Sequence, residues 1–106
     1  MKFYHTSNPY YRDKILKEGL IPKQETWGVA FNSDINKKLG KTKAIFLAKN
    51  KPYDNGYDDD IYEVNISLTN NNFKKDYEMD NSIFTTKPIP LKAIKLIYKG
   101  TGNSKF

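Results

Sequence analysis

The clearest periodic signal in the chain is Ile61-Tyr62-Glu63-Val64-Asn65-Ile66, which alternates with period two. A strand built from it puts Ile61, Glu63 and Asn65 on one face and Tyr62, Val64 and Ile66 on the other. Four shorter segments read the same way. Phe3-Tyr4-His5 predicts an opening strand, residues 44–48 form a continuous apolar run of strand length, and residues 82–86 and 93–98 predict two more. Between the first two of these lies the helical pattern. Asn8 followed by Pro9 supplies a capping side chain and then a residue whose fixed φ suits the first helical position. The helix is predicted over 9–18, burying Tyr11, Ile15 and Leu16, and it ends at Gly19, which takes the left-handed terminating conformation cheaply. Leu20, Ile21 and Pro22 then leave in extended form.

The other segments are connectors. Residues 27–31 are a short apolar segment, and the basic residues 36–43 read as a loop or one helical turn. Residues 51–57 hold Pro52 and Gly56 and so predict a turn or a short irregular helix. Asn70-Asn71-Asn72 is a polar loop, Pro88-Ile89-Pro90 a rigid extended bend, and residues 100–106 are expected to fray. With no internal repeat and no linker, the pattern gives one α+β domain over 1–106, with an early helix and five or six short strands in a mostly antiparallel or mixed sheet.

Composition narrows the chemistry. A chain of 106 residues has room for one domain, and 38% hydrophobic residues suffice for a modest core. Cysteine is missing, which excludes disulfides, thiolate metal sites and cysteine nucleophiles, and a single histidine, His5, excludes metal sites that need two. No segment has the h-region of a signal peptide or the ~20 apolar residues of a membrane span, so the expectation is a soluble, cytoplasmic protein. Cations outnumber acids 18 to 12 for a net charge of +6, yet all of them except Arg12 are lysine. Forked recognition of phosphate and guanine favours arginine, which argues against sequence-specific DNA binding. The charge is also segregated, with +7 on residues 1–52, −6 on 53–80 and +5 on 81–106. The acidic block centres on Asp58-Asp59-Asp60. Calcium loops need alternating ligands over twelve positions, so three consecutive aspartates read instead as a solvated turn.

Particular residues say more than periodicity does. Phe3-Tyr4-His5-Thr6-Ser7, followed by a helix ending Ile15-Leu16-Lys17-Glu18-Gly19-Leu20, resembles the opening of the small ADP-ribosyltransferase-like domains. There an apolar pair, His, Thr or Gly, and Ser precede an IL-x-x-GL helix end. Ala44-Ile45-Phe46-Leu47-Ala48 is similar to that family's apolar strand ending in a small residue. The segment from Pro52 to Tyr57 with Ile61-Tyr62-Glu63-Val64 is similar to its second motif, a tyrosine followed by a Y-E-V strand. The run from Ser82 to Pro90 with Ala93-Ile94 resembles its third motif, an acid and an apolar pair before I-P. The likeness spans residues 3–97, in the family's order.

The resemblance implies a split β core of two small sheets with NAD in the cleft between them. It makes His5 the residue that hydrogen-bonds a ribose hydroxyl, a role suited to a ring with one donor and one acceptor nitrogen. Thr6 and Ser7 complete the first motif, with Thr6 where backbone groups meet the nicotinamide amide. Tyr57, with Tyr53 as the competing register, matches the aromatic that stacks on the nicotinamide ring. The family's glutamate position is held by Ser82, which carries no charge. Glycosidic cleavage of NAD develops positive charge on the ribose that a carboxylate stabilises; Asp80 or Glu78 supplies it only if the strand begins early or the register slips. The expected function is therefore binding of NAD or an NAD-derived or cyclic nucleotide with weak or no transfer, as in a small phage-type anti-defence protein that sequesters a nucleotide signal. The alternative is an active transferase that modifies a protein or nucleic acid from NAD. RNA 2′-phosphotransferases need several arginines, and this chain has one. A third reading is a lysine surface that contacts nucleic acid non-specifically.

Overall fold

The computed structural model describes residues 1–22, 44–50, 57–70, 72–75 and 82–104. The predicted segments at 27–31 and 36–43, and residues 51–56 with Tyr53, lie outside them, as do Glu78 and Asp80. Within them the chain is a small α+β protein with one short helix and a six-stranded antiparallel sheet. The strands are β1 (Lys2–Ser7), β2 (Ile45–Ala48), β3 (Asp60–Asn65), β4 (Lys74–Lys75), β5 (Ser82–Thr85) and β6 (Ile94–Tyr98). Their order is β4-β5-β2-β1-β3-β6.

Alternation decides which side is core. In β1, Phe3, His5 and Ser7 point inward; in β3, Asp60, Tyr62 and Val64 do. Over 61–65 the expected faces are the observed ones, with Tyr62 and Val64 fully buried, whereas Ile66 leaves the strand and opens a 3-10 turn, Ile66–Leu68. Ile45 and Leu47 from β2 extend the same apolar layer, which Ile15, Leu20, Ile89 and Ala93 cover. Each such aliphatic side chain contributes about 1.5–3 kcal/mol by leaving water.

The pairing is uneven. β1 and β3 are in register over six residue pairs, from Lys2–Asn65 to Ser7–Asp60, and β2 and β5 over four. Between β1 and β2 there is one registered pair, Tyr4–Ala48. The sheet therefore consists of two three-stranded halves, β4-β5-β2 and β1-β3-β6, that touch at one rung and part beyond it.

The helix begins as a 3-10 turn, Pro9–Tyr11, and continues as α1 (Arg12–Glu18). Asn8 caps it as expected, its side chain accepting from the Tyr10 N–H at 2.9 Å. Of the three residues expected to be buried, Ile15 is, whereas Tyr11 and Leu16 are 41% and 40% exposed. A seven-residue helix presents about two turns to the sheet; Leu16 lies 100° round from Ile15, and Tyr11 precedes the α-helical turns. Gly19 ends the helix, with its N–H on the Ile15 carbonyl at 2.8 Å. Its conformation, φ 82° and ψ −168°, has the positive φ expected but an extended ψ, so it is not the left-handed helical cap. Leu20 and Ile89 then exchange backbone hydrogen bonds of 3.1 and 2.8 Å, which fix the helix exit to the 88–90 bend.

Two expectations are overturned at the C-terminal end. Residues 100–104 do not fray: the Gly102 N–H donates to the Asp58 carbonyl at 2.7 Å and the Asp58 N–H to the Asn103 carbonyl at 3.0 Å. Nor is the aspartate run a solvated turn. Asp58 accepts from the Tyr98 hydroxyl and from the Thr101 N–H and hydroxyl, both at 3.0 Å, while Asp60 is completely buried. The acids hold the terminal segment because they meet donors 40 or more residues away, which local composition does not reveal. Among the described residues no helix is long and apolar enough to cross a membrane.

Candidate functional site

Where β1 and β2 part, a cleft of about 240 Å³ opens on the core face of the sheet. β1 contributes His5 and Ser7, β2 and the residue before it contribute Ile45 and Ala44, α1 and its leading turn contribute Tyr11, Lys14 and Ile15, and residues 19–22 form the remaining wall. The placement follows from the sequence. Period-two alternation turns His5 and Ser7 to one side of β1, and the Asn8-Pro9 cap sends the helix back across that side.

His5 crosses the seam. Its Nδ1 donates to the Phe46 carbonyl at 2.9 Å, so a side chain makes the inter-strand bond where the backbone ladder has ended. A carbonyl oxygen only accepts, so Nδ1 carries the proton in this bond. Ser7 is 6% exposed, and its hydroxyl has no hydrogen-bond partner among the described residues. Burying an unpaired hydroxyl costs about 1–3 kcal/mol, so nearly all such groups in folded proteins are paired. Together the lining offers an imidazole ring, a hydroxyl that both donates and accepts, an ammonium group at Lys14 and an apolar floor.

The structure brings His5 and Ser7 together and leaves Thr6, Tyr57 and Ser82 elsewhere. Thr6 pairs with Ile61, and alternation turns its side chain to the opposite face of the sheet. Tyr57 is 57% exposed and bridges to Ser104. Ser82 opens β5 opposite Ala48, which is opposite Tyr4. Laterally paired residues share a face, so Ser82 lies on the side of the sheet opposite His5, two strand spacings or roughly 10 Å from Tyr4. None of Thr6, Tyr57 and Ser82 is among the described residues that line the cleft. Tyr11 and Lys14 do line it and were not expected to. Their spacing to Ile15 on one helical face was the available signal, but it reads equally as an amphipathic helix.

A second polar cluster also escaped the sequence reading. Arg12 forks onto Asp60, with Nε to Oδ2 at 2.8 Å and Nη2 to Oδ1 at 2.7 Å, and Nη2 also donates to the Gly100 carbonyl at 2.9 Å. The Gly100 N–H returns to Asp60 Oδ1 at 2.8 Å. Burial pushes the Asp60 carboxyl up, but the Arg12 fork, the Gly100 N–H and the Arg12 charge outweigh it and hold the group below its ordinary value. The same pairing raises Arg12. Tyr62, whose hydroxyl points at Asp60, is pushed up to about 12 by burial and then by the neighbouring negative charge. The chain's one arginine is thus engaged in holding α1, β3 and the C-terminal segment together.

No family model matches the chain, and no curated protein or solved structure is a match to it.

Proposed function

We propose that the chain is an ADP-ribosyltransferase-like nucleotide-binding module that holds NAD or an NAD-derived or cyclic nucleotide in the cleft between β1 and β2, with weak or no transfer. The observation that carries this reading is the buried Ser7 hydroxyl, without a hydrogen-bond partner among the described residues, beside His5 at the cleft. Such a pair suits the adjacent hydroxyls of a ribose, which both donate and accept, and the apolar floor of Ile15, Leu20 and Ile45 suits a flat ring. The division of the sheet into two halves joined at Tyr4–Ala48 supports the same reading, because the resemblance expects two small sheets flanking the ligand.

Binding is favoured over turnover for a chemical reason. The described lining holds no carboxylate, and Ser82, at the position the resemblance gives to the glutamate, faces away. A developing oxocarbenium charge has no stabiliser there among the described residues.

Titration calorimetry tests the reading with NAD, ADP-ribose and a cyclic nucleotide. At least one is expected to bind, and Ser7→Ala and His5→Ala each to weaken it about tenfold, the loss of one buried hydrogen bond. No heat with any of the three rejects the reading. Sustained nicotinamide release from NAD that disappears in His5→Ala replaces it with active transfer.

A further inference from the structure

We infer that Lys14 is the phosphate-receiving residue of this cleft and that the cleft takes one riboside, whose phosphate emerges past Lys14 at the rim. The inference rests on the nucleotide reading above and names the part of the ligand that is held.

Size comes first. Pockets that enclose drug-sized ligands run to about 300–1,000 Å³. At about 240 Å³ this cleft is smaller, so it encloses one sugar with its ring rather than a whole dinucleotide. The remainder of a longer ligand must leave through the mouth.

The mouth is chemically one-sided. Lys14 and Ile15 are neighbours on α1, and Tyr11 stands on the turn that leads into it. Ile15 is buried, while Tyr11 and Lys14 are exposed at the rim. Leu20, Ile21 and Pro22 add apolar side chains to the same lining. Lys14 makes no ion pair among the described residues, in contrast to Lys2, which lies 3.4 Å from Glu63, and Arg12, which is held by Asp60. Among the described lining residues, an anion leaving the cleft therefore meets one ammonium group, that of Lys14, and no acid that offsets it. His5 and Ser7 lie deeper, on the strand, where they suit the sugar rather than the phosphate.

The test compares ribosides with their 5′-monophosphates, using adenosine with AMP and nicotinamide riboside with its mononucleotide, by calorimetry at low salt. In at least one pair the monophosphate is expected to bind about tenfold more tightly, as a charge-assisted contact would give. Lys14→Gln should shrink that gap to within about twofold. Lys17→Gln, an exposed position of the same helix outside the described lining, should preserve it. A gap that survives Lys14→Gln, or a monophosphate that binds no better than its riboside, overturns the inference while the nucleotide reading stands. A protein that binds none of the four compounds, nor NAD, ADP-ribose or a cyclic nucleotide, overturns both.

Discussion

Asp60 is a carboxylate with no solvent contact, surrounded by the two nitrogens of the Arg12 fork and the Gly100 N–H. Removing one partner of such a pair strands the other, which is far costlier than losing a surface ion pair. Arg12→Met is therefore expected to lower Tm at pH 7 by roughly 10 °C or more. The pH dependence identifies the cause. Asp60 is held below its ordinary value, so its contribution is fully present above the ordinary carboxylate range and is lost as pH falls through the folded value. The gap in Tm between wild type and Arg12→Met should accordingly narrow on acidification to about pH 3; a gap that stays constant would place the effect outside Asp60. At this scale the sequence was partly legible. His5 and Ser7, singled out by their neighbours, both line the cleft, whereas the Arg12–Asp60 pair joins residues 48 positions apart and left no local trace. Ser82 was assigned by spacing from Pro88-Ile89-Pro90, but spacing along a strand does not say which face a residue takes until its partners across the sheet are known.

Elements were more readable than their ends. Each of the five predicted strands is present, since alternation and apolar runs report burial directly. β4 is two lysines, Lys74–Lys75, and carries no apolar pattern to find. The docked terminal segment was hidden for a related reason: its partners are backbone groups and aspartates rather than a hydrophobic face. Gly19 shows what element ends demand. A Cβ there would stand 2.4 Å from the Ile89 carbonyl oxygen, and its φ of 82° with extended ψ is open to glycine alone. Gly19→Ala should cost roughly 2–3 kcal/mol, read as a lower urea midpoint with unchanged m. Gly19→Asn should be no milder. Asparagine relieves the left-handed helical cap but not this conformation, so a rescue by asparagine would refute the geometry.

At the scale of the whole molecule, the +6 resolves into a buried acidic strand start and basic surroundings, with Lys14 carrying one of those charges to the mouth of the cleft. The sheet is likewise less uniform than its six strands imply. β1-β3-β6 is knit by long registers, while β2 reaches it through Tyr4–Ala48 and the His5 bond to Phe46. Amide hydrogen exchange should find β2 and β5 opening at lower free energy than β1 and β3; equal protection across the six strands would show that the seam behaves as continuous sheet. Past that single rung, each strand edge has lost the neighbour that a sheet normally provides. A ligand wedged there, touching Ser7 on one side and Ile45 on the other, stands in for the missing rungs. If a nucleotide binds there as proposed, occupancy and cohesion of the two halves become one equilibrium, and the melting temperature is expected to rise as the cleft fills.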